Sequence, residues 1–451
     1  MTPLRGATAL AGAALLLLGP VPAAGADDAT ASPTPPADEG LYGESDPSWD
    51  GVWRQSLAML ALEAAGEPVP PAAVTWLLGQ QCPEGGFPAY LPEPGAACDG
   101  EPAVDTNATG MAVQALAAAA EEDAAAEAVL DSAVEWLLSA RNEDGGWAYA
   151  PGGESDANST AVALSALYAV GAEPAEVEAA EEALLAFRLG CEAPEADRGA
   201  FVWQPEEDGS RYANELATVD AVLALAPAAG DRTPDGPPAA PACEGDPGNA
   251  SAVEPAEAAE DGLAWLLSRV TEGGGWVRSP FDDSPMPGPT ARVAHGLAAG
   301  GWTEEARAVL APTAGEVSDE DGPYGGTGTV AELILALEAV GDDPTDFGGV
   351  DLTARLLASG PDPDAPATEP EDRGDGDAAA GEADAEDSGG GLNSLWFLGA
   401  LLLAGVGVGL LAALRRGGRT TGGTTGNDGE DGAGATKAED GGPTDTGEPR
   451  T

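Results

Sequence analysis

"VEWLLSARNEDGGWAYAPGGESDANSTAVALSAL", Val134–Leu167, is the stretch on which the fold turns. It begins with an amphipathic segment bearing Trp-Leu-Leu and passes through a Gly-Gly-aromatic turn. It then enters a segment of alanine, leucine and small polar residues opened by Asp156. The first segment reads as a helix with one solvent face. The second is apolar nearly all round, as expected of a helix buried on more than one side. Asp156 stands where an N-cap acceptor belongs.

The pattern recurs. "VTWLLGQQCPEGGFPAY" (Val74–Tyr90) and "LAWLLSRVTEGGGWVRS" (Leu263–Ser279) repeat it, each with Gly-Gly before an aromatic that lies eleven residues after the Trp. "LLAFRLGCEAPEADRGAFVWQ" (Leu184–Gln204) carries an insertion, and "GEVSDEDGPYGG" (Gly315–Gly326) is degenerate. The small-residue segments also recur, starting at Trp53, Val104, Ser155, Tyr212, Pro289 and Gly328. An uneven period of roughly 50 to 60 residues marks supersecondary units that bury their faces on one another. The expected fold is all-α, an α/α toroid of about six helical hairpins over 48–359, with small-residue helices inside and Trp-Leu-Leu helices outside. Without sustained period-two alternation, no sheet is expected.

These turns resemble the prenyltransferase/squalene-oxidase-type (QW) repeats of terpenoid cyclases and protein prenyltransferases, whose domains are α/α toroids. The resemblance implies a structural role for Phe87, Trp147, Trp203 and Trp276, tying each outer helix to the next inner one. The glutamine of the motif survives as Gln80/Gln81 in the first copy and is replaced by Arg141-Asn142 in the second.

The chemistry of that superfamily is poorly matched. Triterpene cyclases protonate their substrate with a D-x-D-D motif. Asp105-Thr106-Asn107-Ala108 and Asp156-Ala157-Asn158-Ser159 keep only the first carboxylate. A lone Asp at a helix N-terminus is expected to stay ionised, since the dipole and free N–H groups favour the anion. "FDDSPMP" (Phe281–Pro287) lacks the spacing that holds Mg²⁺ on a diphosphate. His295 is the only histidine, which leaves no zinc set, and it reads as a pore-lining or satisfied core residue. No thioester, nucleophile-elbow or phosphate-loop motif is present, and no catalytic residue, metal or cofactor is assigned.

Vitamin B12 carriers, a non-enzymatic branch of the toroids, offer a second resemblance through "VDTNATGMAVQAL" and "SDANSTAVALSAL". It implies that residues at inner-helix starts face the barrel mouth and bind a ligand. The candidates are Asp105, Thr106, Asn107, Asp156, Asn158, Tyr212, Asn214, Thr290 and Arg292. A corrinoid is the ligand this resemblance implies, although the clamping β-domain of many carriers has no counterpart here.

The ends read as addresses. Residues 1–26 have the basic start, apolar run and small-residue cleavage site of a signal peptide. A leader at 27–47 reads as disordered, and 360–391 as an acidic Pro/Gly spacer. Within 392–414, twenty uncharged residues (395–414) suffice to cross a bilayer of about 30 Å. Arg415 and Arg416 follow, so the low-complexity tail 415–451 is expected in the cytoplasm. The formal charge of −60, with Lys437 the only lysine, excludes nucleic acid as a partner. Four cysteines in the exported part imply disulfides, and sequence proximity favours Cys82–Cys98 and Cys191–Cys243 over the other pairings.

The reading is therefore a single-pass cell-surface protein whose extracellular toroid captures a small or amphipathic ligand, with a membrane transporter as a candidate partner. The alternatives are a terpenoid cyclase or prenyltransferase-like enzyme acting on an isoprenoid, and a structural or adhesion module of the cell surface.

Overall fold

Among the described residues of the computed structural model, twelve α-helices alternate between two concentric rings. The structure describes residues 40–92, 98, 103–119, 124–229, 234, 236–243, 253–318 and 325–362. The signal peptide, most of the leader, nearly all of the spacer, the apolar span and the tail lie outside the described residues. Among the described residues, no helix is long and apolar enough to cross a membrane.

The inner ring consists of α1 (Gly51–Ala64), α3 (Thr106–Ala119), α5 (Ala157–Ala169), α7 (Glu215–Leu225), α9 (Pro287–Ala299) and α11 (Thr327–Val340). Each packs on the next, and α11 closes on α1. The outer ring consists of α2 (Pro71–Gly79), α4 (Ala124–Ala140), α6 (Pro174–Leu185), α8 (Pro255–Glu272), α10 (Thr303–Leu310) and α12 (Leu352–Ala358). Each of these lies on the inner helix before it. The inner helices are alanine-rich because they are covered on two flanks and from outside: Ala161, Ala163, Ala166 and Ala221 are all essentially inaccessible. Among the described residues, one two-residue antiparallel strand pair, Phe87–Pro88 with Val104–Asp105, and isolated antiparallel bridges such as Val202 with Ala213 are the exceptions to the all-helical expectation. The strand pair forms where the first turn meets the start of α3.

The repeated turns share one joint. The backbone N–H of Phe87, Trp147, Phe201 and Val277 donates to the hydroxyls of Thr109, Thr160, Thr218 and Thr290, at 2.8, 3.0, 2.9 and 3.0 Å. Two residues before Phe87, Gly85 has φ +100°, and a Cβ there would sit 2.4 Å from the Ser132 carbonyl oxygen of α4. Phe201 rather than Trp203 fills the joint in the third turn along the chain, since the inserted residues reset the spacing. In the fourth, the triple glycine shifts the frame by one, so Val277 takes the place expected of Trp276. Phe87 and Trp147 occupy the expected positions, both fully buried, with the Trp147 indole N–H donating to the Leu137 carbonyl at 2.7 Å.

In the first three turns, the residue three after the second Leu of the outer helix ties the turn to the following outer helix. Gln81 Nε2 donates to the Val129 carbonyl and the Ser132 hydroxyl of α4, at 2.8 and 2.9 Å. Where arginine replaces it, the same job is done by charge: Arg141 pairs with Glu176 of α6, and Arg188 with Asp261 of α8.

Disulfides join Cys82 to Cys98 and Cys191 to Cys243. Residues 40–46, read from composition as disordered leader, are instead part of the barrel. Tyr42 is fully buried, and its N–H donates to Gln55 Oε1 at 2.8 Å. The Gly43 N–H donates to the Ser359 carbonyl at 2.7 Å, which ties the start of the toroid to its end.

Candidate functional site

The inner ring encloses a cavity of about 670 Å³. Its apolar wall includes Trp53, Leu57 and Leu60 of α1, Met111 of α3, Val162 of α5 and Leu335 of α11. A charged layer crosses the other side. Asp220, Arg292 and Glu332 are each the sixth residue of α7, α9 and α11, so equal helical offsets bring them to one level. Arg292 pairs with Asp220, and its Nε lies 3.9 Å from Glu332 Oε1. Asn158 Nδ2 donates to the other carboxylate oxygen of Asp220. Gly288 makes room for Glu332: a Cβ there would lie 2.0 Å from Glu332 Oε2. One turn further along, His295 and Gln114 face the same space, with Tyr168 beyond them.

Burial in a low-dielectric cavity pushes the Glu332 carboxyl up to about 7, against the attraction of Arg292 and with the help of Asp220. Burial, reinforced by Arg292, pushes the His295 imidazole down to about 4, so it is neutral near pH 7. Arg292 is thus a single positive charge facing two carboxylates.

The residues anticipated at the barrel mouth divide into four groups. Asp105, Asp156 and Asn214 are helix caps, accepting from the N–H groups of Ala108, Ser159 and Ala217 at 2.7, 2.8 and 2.9 Å. Asp105 Oδ2 also accepts from the Tyr149 hydroxyl at 3.3 Å. Thr106 and Thr290 are buried in turn joints, where Thr106 donates to the Ala148 carbonyl at 2.7 Å. The Asn107 Oδ1 is buried and has no hydrogen-bond partner among the described residues, and Tyr212 lies half-buried in the loop before α7. Of the nine, Arg292 lines the cavity and Asn158 reaches its edge through Asp220. The cavity extends toward the C-terminal ends of the inner helices, as Ala169, Pro227 and Ala299 show, rather than gathering at their starts.

The expectation that lone capping carboxylates stay ionised needs correction. Asp105 rises to about 7 and Asp156 to about 6, because burial outweighs the backbone and side-chain hydrogen bonds that favour the anion. Asp220 and Glu332 escaped the sequence reading, although a charge inside an otherwise apolar inner helix ("TVDAVLAL", "TVAELILAL") was a visible signal. Neither the cavity nor any comparison supports a corrinoid as ligand.

Residues 54–190 match the family model of the prenyltransferase alpha-alpha toroid domain, the superfamily that the repeated turns resemble. Solved structures similar to this chain include ent-copalyl diphosphate synthase from Streptomyces platensis, at 19% identity and TM-score 0.40. That match covers 64% of this chain and 50% of the synthase, so the chain spans about half the length of that relative. An arginine-to-alanine variant of the type II terpene cyclase MstE from Scytonema, in complex with geranylgeranyl dihydroxybenzoate, is similar at 16% identity and TM-score 0.41. That match covers 67% of this chain and 92% of the cyclase. A protein from Actinoplanes matches at 16% identity and TM-score 0.40, over the same shares of the two chains. No curated protein matches the chain.

Proposed function

We infer that this chain is a small-molecule binding protein whose toroid holds an apolar or amphipathic ligand inside the ring of six inner helices. The observation that carries this reading is the cavity of about 670 Å³, apolar over most of its wall and charged at one level. Ligand sites for drug-sized molecules have this size and this balance of apolar wall with a few placed polar groups. The uncharged run 395–414 with arginines after it, together with two disulfides, supports display outside the cell on a single span. A membrane transporter is the partner such a tethered site would serve. Native mass spectrometry of the purified chain with a panel of single-chain amphiphiles tests the reading. Bound complexes lost on Leu57→Trp, which fills the cavity, are expected; no complex with any amphiphile sinks it.

A second reading, a terpenoid cyclase-like enzyme acting on an isoprenoid, draws on the toroid family match and on Glu332. A buried carboxyl that keeps its proton near neutral pH inside an apolar cavity is a candidate proton donor. Cyclised products from linear isoprenoids, absent with Glu332→Gln, would put this reading first.

A further inference from the structure

We propose that the cavity selects ligands with a protonated amine at one end, seated against Glu332 and Asp220 with the alkyl body along Trp53, Leu57, Leu60 and Met111. This rests on the cavity being a ligand site. The layer is one positive charge short: two carboxylates, Asp220 and Glu332, face the single guanidinium of Arg292. Asp220 is committed, paired with Arg292 and hydrogen-bonded by Asn158. Glu332 is not, since the Arg292 Nε stands off at 3.9 Å and it makes no hydrogen bond to another described residue.

An uncompensated carboxylate in an apolar cavity is costly, and it is relieved either by a proton or by a cation. With no cation against it, burial favours the proton on Glu332, which raises its carboxyl to about 7. Among the described residues, no other cavity group supplies the missing charge. On α9, His295 is neutral near pH 7 beside Arg292. On α5, Tyr168 gives its O–H to Glu181. The α1 and α3 walls contribute Trp53, Leu57, Leu60, Met111 and Gln114, which carry no charge. An ammonium brings one charge and three N–H donors, and displaces the proton. A carboxylate or phosphate head would meet two acidic groups and an arginine already paired with one of them.

The test measures binding of dodecylammonium, dodecanol and laurate to the purified full-length chain by calorimetry in buffers of different ionisation enthalpy. Expected is dodecylammonium tighter than dodecanol by about tenfold or more, the scale of a charge-assisted contact, with laurate weakest. Near pH 7 ammonium binding should release a fraction of a proton, fading toward pH 9, and dodecanol binding should release none. Glu332→Gln should abolish both the preference and the proton release while retaining dodecanol. Equal affinity for the amine and the alcohol, tighter laurate, or an unchanged preference in Glu332→Gln overturns the proposal and leaves the cavity a ligand site. If none of the three binds, the ligand-site reading itself fails, and the amine preference falls with it.

Discussion

Arg292 on α9 and Asp220 on α7 form an ion pair between neighbouring inner helices, and Asn158 on α5 donates to the second oxygen of the same carboxylate. Three inner helices are thereby cross-linked by polar contacts at a level where their other residues are mainly small and apolar. The pair is nearly buried, with side chains 19% and 8% exposed, so its partners are interdependent.

Arg292→Ala should therefore cost about 3 to 5 kcal/mol, as expected when one partner of a buried pair is removed. The variant leaves Asp220 and Glu332 facing each other, so its loss should be larger at pH 8 than at pH 5.5, where Glu332 can hold a proton. Urea unfolding at the two pH values checks both points, and a loss below about 1 kcal/mol would show the pair to be solvent-screened.

The turn joint predicts a graded response at Thr160. Thr160→Val keeps the shape but removes the acceptor of the Trp147 N–H, leaving a buried donor unpaired. The expected cost is about 1 to 3 kcal/mol, whereas Thr160→Ser should stay close to the parent. Chemical denaturation of both variants distinguishes a hydrogen-bonding role from simple packing.

Two glycines with similar left-handed backbones separate strain from close approach. Gly152 has φ +85° with nothing within 4 Å of a built Cβ, while Gly85 has φ +100° and the Ser132 carbonyl at 2.4 Å. Gly152→Ala should cost about 1 to 2 kcal/mol from backbone strain. Gly85→Ala should cost distinctly more, because α4 must also move away. Equal melting temperatures for the two variants would contradict the packing of this turn on the next outer helix.

Stability should fall as the pH rises from about 4 to 7. Burial holds Asp105 near 7, Asp156 near 6 and Glu332 near 7. The unfolded chain releases these protons near pH 4 while the folded chain keeps them. Their contribution is complete below the unfolded value, is lost as the pH passes through 6 to 7, and is flat above. Thermal unfolding from pH 4.5 to 8.5 should show this decline. Asp105→Asn, which keeps the oxygen acceptor for Ala108, should make the slope shallower; an unchanged slope would remove Asp105 from the account.

The repeat was legible because each copy must bury the same faces: Trp-Leu-Leu on an outer helix, alanine on an inner one, and glycine where the turn presses on its neighbour. Asp105 and Asp156 were legible as residues at helix starts for the same local reason, since capping is decided within four residues. The exchange of Gln81 for Arg141 and Arg188 showed in the sequence as a lost motif letter. Only the structure shows that an ion pair to the next outer helix replaces the hydrogen bonds.

The sequence by itself determined the alternation of inner and outer helices and the capping aspartates of two inner ones, which follow from periodicity and local backbone chemistry, and the resemblance of the turns pointed to a toroid. The tertiary structure decided which charges meet. Asp220, Arg292 and Glu332 are separated by 72 and 40 positions in the chain, and their encounter depends on the rotation and height of three helices in the ring. Burial of the capping aspartates was likewise decided in three dimensions. The field of a helix end is local, but the desolvation that overrides it comes from neighbouring repeats packed against the cap.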